Sequence, residues 1–175
     1  MSASGAFVIT AKDAKGRARA GILRTAHGEV ETPVFMPVAT QGSIKALSQE
    51  DLDALGVQAI LANSYHLYLR TGAGTVAAAG GLHSFMSYRG AILTDSGGFQ
   101  VLSLSSLREV KDEGVTFRSH LDGSEHTLTP ESVVALQAEL GSDIWTALDE
   151  PAEYPCTPER ARAALRRTQR WLEAS

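Results

Sequence analysis

In the stretch ILTDSGGFQ, the apolar run Ala91 to Thr94 leads straight into Asp95-Ser96-Gly97-Gly98-Phe99. A carboxylate placed where a buried run emerges can give or take a proton at a reacting group. Two glycines close behind it let the backbone approach a ligand without a Cβ in the way, and Phe99 offers a flat face to a ring. A second run, SDIWTALDE, ends on Asp149 and Glu150. Two acids gathered at one rim make a pair of the sort that works on glycosidic bonds. Both features also have a plainer reading. D-S-G-G makes a tight strand-to-helix turn with Asp as the cap, and strand-end acids often stand in solvent. No Gly-Lys-Ser/Thr follows the glycines, which argues against a phosphate loop.

Other groupings carry less. Gly72-Ala73-Gly74-Thr75-Val76-Ala77 matches G-x-G-x-x-A, with Asp95 about 20 residues on, as in dinucleotide folds. The fingerprint needs a strand immediately before it, and SYHLYLRT intervenes. Titration with nicotinamide cofactors tests that oxidoreductase reading. His120, His126 and Cys156 are too scattered for a zinc motif, so no metal ligand is expected. Tyr65-His66 follows Asn63 and reads as packing or capping. The arginines 160, 162, 166, 167 and 170 read as a solvated helix face opposite Ala161, Ala164, Leu165, Thr168 and Leu172.

The elements that would position these residues alternate. Residues 7–25 read as two strands around Asp13-Ala14-Lys15-Gly16-Arg17. Apolar strands are predicted near 33–38, 57–62, 91–94 and 144–148. Ser48 with Asp51 forms a capping-box variant before a short helix stopped by Gly56. Residues 72–86 are expected to be partly helical. Asp122-Gly123 centres a hairpin over 115–128, and Thr129-Pro130 and Thr157-Pro158 each start a helix. Strand–helix alternation implies a parallel sheet, whose strand ends at Asn63, Asp95 and Asp149 share one rim. The expected class is α/β, and four βα units amount to half of an eight-fold barrel. The 175 residues therefore read as one domain of an incomplete chain.

Composition narrows the class further. A hydrophobic share of 43% with 21% charged residues fits a globular protein. The net charge of −4 provides no overall cationic field for nucleic acid, which leaves only a local basic patch for that purpose. One cysteine rules out an internal disulfide. No secretory signal or bilayer-spanning run is seen, and the expected location is the cytoplasm.

The segments TPVFMPVAT, IKAL, ILANSYHLYLR, GGLHSFM, ILTDSGGFQVLSLSSL, DEGVTFRSHLDGS, LQAELGSDI and LDE run in order through almost the whole chain. Together they resemble the N-terminal portion of the tRNA-guanine transglycosylases, or queuine tRNA-ribosyltransferases. The resemblance implies an incomplete TIM (β/α)₈ barrel preceded by an N-terminal antiparallel β meander. It implies exchange of guanine at the tRNA wobble position for a 7-deazaguanine base, preQ1 or queuine, through a covalent ribosyl-enzyme intermediate. Asp95 would be the proton acceptor and donor. Asp95, Ser96, Gly97, Gly98 and Phe99 would line the base pocket, and Asp149 would read the base edge.

The family's nucleophilic aspartate, and the three cysteines and histidine of its zinc subdomain, match nothing in this chain. Zinc is thus implied only for a complete member, which would be a homodimer. Pro151 stands where bacterial members usually carry Cys, and Phe99 where some carry Tyr, so the choice of preQ1 or queuine stays open. A rival of another class is a non-catalytic partner subunit on the same scaffold; the intact acid set argues against it.

Overall fold

In a computed structural model the chain is described over residues 6–104 and 107–175; the first five residues of the start read above for a signal lie outside them. Three antiparallel strands come first: β1 (Phe7–Lys12), β2 (Arg19–Thr25) and β3 (Gly28–Thr32). The expected hairpin is there, and β3 extends it into a meander. Next follow β4 (Val38–Ala39), α1 (Gln49–Ala54) and β5 (Ala59–Asn63). The chain then turns through α2 (Ser64–His66), a π-helical turn at Leu67–Thr71, α3 (Ala73–Ala78) and α4 (Gly81–Met86) to reach β6 (Ala91–Asp95). After α5 (Gly98–Leu104) come β7 (Arg108–Val110), β8 (Val115–Arg118) and β9 (Glu125–Leu128). The last elements are α6 (Pro130–Leu140), β10 (Ile144–Trp145) and α7 (Pro158–Glu173).

The central sheet has the order β10-β6-β5-β4 with every pair parallel. Neighbours in space are thus neighbours in sequence among these strands, and all their C-terminal ends lie on one side. Two strands are shorter than the sequence predicts. Pro33 and Pro37 cannot donate to a ladder, and pairing with β5 begins only where Leu61 N–H reaches the Pro37 carbonyl. At the other edge, Thr146 N–H goes to both the Thr94 carbonyl and the Gln137 side chain, which ends β10 early. Residues 108–110, which carry no clear strand signal, add β7 to the expected hairpin as a third antiparallel strand.

Local chemistry sets the helix ends as expected. Ser48 and Asp51 form a reciprocal capping box, as do Thr129 and Ser132, and Thr157 caps α7. Each satisfies backbone donors that the first helical turn leaves free.

Three apolar clusters hold the layers. Ile60, Ala62 and Ile92 from the sheet meet Leu82, Val76 and Leu140 from the helices. Tyr65, Val101, Leu148 and Trp171 pack on the Val115, Phe117 and Leu128 side of the small sheet. The third cluster joins Val30, Leu23, Val34 and Met36 to Ala59 and Ala91, the first residues of β5 and β6. The meander therefore closes the N-terminal end of the parallel sheet.

Helix α7 is phased differently from the sequence reading. Ala164 and Trp171 are its buried residues, while Leu165 and Leu172 are 57% and 62% exposed. The arginine face is not simply solvated either. Arg160 and Arg167 both pair with Glu150, whose side chain is 6% exposed. Arg170 and Arg167 reach Asp112, and the Trp171 indole donates to the Asp112 carbonyl at 2.7 Å. Burial of the large indole and of one carboxylate fixes the rotation of the helix, which periodicity alone does not weigh.

Candidate active site

Asp95 closes β6, paired in register with Asn63 at the end of β5. Its carboxylate accepts from Asn63 Nδ2, from Ser64 N–H at 3.0 Å and from Gln100 Nε2 at 3.0 Å. Burial raises its pKa above the usual carboxylate range; those three donors and nearby His66 oppose the rise without cancelling it. His66 is displaced the other way, below the ordinary imidazole value, by burial and by the charges of His120 and Arg70. Burial thus displaces the two groups in opposite directions, the carboxyl upward and the imidazole downward.

Among the described residues, the buried side-chain atoms left without a hydrogen-bond partner are Ser64 Oγ, His66 Nδ1 and Gln100 Oε1. All three belong to residues that touch Asp95 or act on its charge. Buried polar atoms are nearly always paired in folded proteins, and a local failure of that rule calls for an explanation such as a ligand or water.

Ser96 and the glycines link this strand end to the next. Ser96 Oγ donates to Asp149 Oδ1 at 3.0 Å and also lies 3.2 Å from the Gly98 N–H. Gly97 has φ +85°, the left-handed region that a side chain disfavours. A Cβ on Gly98 would stand 2.4 Å from the Asp149 carbonyl oxygen and 2.5 Å from Oδ1. The paired glycines therefore permit the strand-end loop of β6 to lie against the chain after β10. Asp149 Oδ2 has no partner among the described residues and is available to a ligand.

The two carboxylates do not touch. Asp95 is turned toward Asn63 and Gln100, and Asp149 leans on the hydroxyl of Ser96, the residue that follows Asp95 in the chain. Phe99 lies in the first turn of α5 with 62% of its surface exposed. A cavity beside Asp149 is lined by Gly98, Glu150, Pro151, Arg160 and Trp171, among others. Sequence reasoning missed Asn63, Ser64 and Gln100 as the direct partners of Asp95. The strand-end position of Asn63 was a usable signal, and Gln100, five residues past Asp95, was another. Tyr65 is a packed residue, its hydroxyl 2.9 Å from His120 Nδ1.

The donors of the zinc set implied by the resemblance are not assembled here. Cys156 is exposed and is the chain's single cysteine, so no step of the chemistry is assigned to zinc.

The family profile described as Queuine tRNA-ribosyltransferase matches residues 13–175. A queuine tRNA-ribosyltransferase of Desulforudis audaxviator (strain MP104C) is 58% identical over 165 residues, covering 94% of this chain and 44% of that protein. One from Moorella thermoacetica is 56% identical over 168 residues, covering 96% of this chain and 45% of its own length. One from Oleidesulfovibrio alaskensis is 54% identical over 173 residues, or 99% of this chain and 45% of that relative. The chain thus spans less than half the length of the curated relatives it matches.

Proposed function

Because the chain belongs to the queuine tRNA-ribosyltransferase family, we propose that it forms the base-reading part of a tRNA-guanine transglycosylase. Its four parallel strands in sequential order support a reading as the first half of a (β/α)₈ barrel, with the acids at the C-terminal mouth where such barrels do chemistry. The reaction is pentosyl transfer: guanine leaves the ribose at the tRNA wobble position and a 7-deazaguanine base replaces it. The target base must be extruded from its stack to reach the mouth.

The observation that carries this reading is the Ser96 bridge, which fixes Asp149 beside the Asp95 strand end while leaving Oδ2 free. Asp149 accepts from the N1–H and exocyclic amine of a guanine-like edge. Adenine carries an acceptor at N1, so it would leave buried groups unpaired; sites of this kind discriminate by roughly 10⁴. Asp95, with its pKa raised by burial, supplies the proton that departing guanine takes and receives one from the incoming base. To do so it exchanges at least one of its present donors for the ring. Ser96, Gly97, Gly98 and Phe99 line the base site, and the unpaired Ser64, His66 and Gln100 atoms are ready for the polar groups of the nucleotide.

The nucleophile that forms the ribosyl-enzyme bond is not among these residues. For a protein of the relatives' full length the proposal adds a zinc site, a homodimer and a cytoplasmic location. Among the described residues, no helix is long and apolar enough to cross a membrane.

Incorporation of labelled guanine into tRNA tests the roles. In a protein of the relatives' full length, Asp95→Ala and Asp149→Ala are each expected to abolish exchange, and retained exchange in either overturns that residue's role. The 175-residue chain alone is expected to give none, since no residue of it matches the nucleophile that the resemblance implies; measurable turnover would refute the division of roles.

A further inference from the structure

Three side chains far apart in sequence meet at the opposite end of the sheet from the acids. His27 lies in the turn between β2 and β3, His83 lies in α4, and Asp143 lies just before β10. His27 Nδ1 is 2.7 Å from Asp143 Oδ1 and His83 Nε2 is 3.1 Å from Asp143 Oδ2. The two imidazoles stack with centroids 3.4 Å apart and planes at 15°. All three ligand-type atoms fall within 4.8 Å of one another.

We propose that His27, His83 and Asp143 form a structural site for one divalent transition ion of borderline softness, such as zinc. Two imidazoles and a carboxylate are donors such an ion accepts, with a fourth, open position for water. A zinc ion with tetrahedral bonds of about 2.0–2.1 Å sets its ligand atoms about 3.3 Å apart; the two imidazoles now bond different oxygens of the one carboxylate, so binding turns both ring nitrogens from those oxygens onto the shared ion. Asp143 is pre-oriented, since Ile92 N–H donates to its Oδ2 at 2.9 Å. Its side chain is 2% exposed, that of His83 12% and that of His27 39%, so the site is anchored in the interior and open at one edge.

Two stacked imidazoles beside one buried carboxylate would repel if both were charged, and one cation shared among all three relieves that. The bound ion would pin the meander to α4 and to the start of β10. This donor set differs from the cysteine-rich zinc set implied for longer relatives.

The test uses the 175-residue chain with Cys156→Ser to remove the exposed thiol, stripped with a chelator and titrated with cobalt(II) and zinc. One ion per chain is expected, with visible cobalt absorption of a tetrahedral site. His27→Gln, at an exposed turn, should weaken binding by at least about tenfold. Zinc in excess should raise the unfolding midpoint of the parent but not of the variant. In the parent, zinc should shift the ring ¹⁵N resonances of His27 and His83, a readout that needs no variant. Absence of stoichiometric binding, undiminished binding in His27→Gln, or ring shifts confined to His66, His120 and His126 would overturn the proposal.

Discussion

Asp95 shows how a single carboxyl can be held and poised at once. Its folded-state pKa lies above the ordinary value because burial outweighs Asn63, Ser64, Gln100 and His66. The folded chain therefore keeps this proton to higher pH than the unfolded chain. As pH rises from the ordinary carboxylate range through the folded value, the group's contribution to stability is lost. Asn63→Ala removes a donor to the charged form, so the Asp95 pKa is expected to rise further; a carboxyl ¹³C titration checks it, and a fall or no change would contradict the network described. Gly98 matters for space rather than charge. Gly98→Ala forces a carbon against the Asp149 carbonyl and carboxylate and should lower stability by about 1–3 kcal/mol. Urea unfolding measures that loss, and an unchanged midpoint would mean that the two strand ends yield without strain.

At the level of elements, what was legible in the sequence is what local chemistry decides. Ser48 with Asp51, Thr129 with Pro130, and Thr157 with Pro158 mark helix starts because the capping oxygen and the donors it satisfies lie within three residues. Thr129→Ala is expected to cost about 1 kcal/mol, read as a lowered denaturation midpoint at unchanged m-value. Elements whose extent depends on distant partners were not legible. The length of β10 is set by Gln137, and the rotation of α7 by the burial of Trp171 and Glu150. The same limit applies to the site. Strand-end positions pointed to Asp95 and Asp149, but the Ser96–Asp149 hydrogen bond that draws the two strand ends together spans 53 residues. The His27–Asp143 contact spans 116, and no spacing rule reaches that far.

Across the whole molecule, the alternation of strands and helices was enough to foresee a parallel sheet with its acids on one side. It was not enough to foresee what seals the other side, where Leu23, Val30, Val34 and Met36 sit on Ala59 and Ala91. That plug has a kinetic consequence. With the floor closed, the proposed exchange would admit and release a small ring from the rim side alone, so a spent base would have to clear the doorway before its replacement enters. Exchange should then proceed by alternating turns, with free guanine obstructing the newcomer competitively rather than by a route of its own. Inhibition by guanine that persists at saturating replacement base would point to a back exit through the meander.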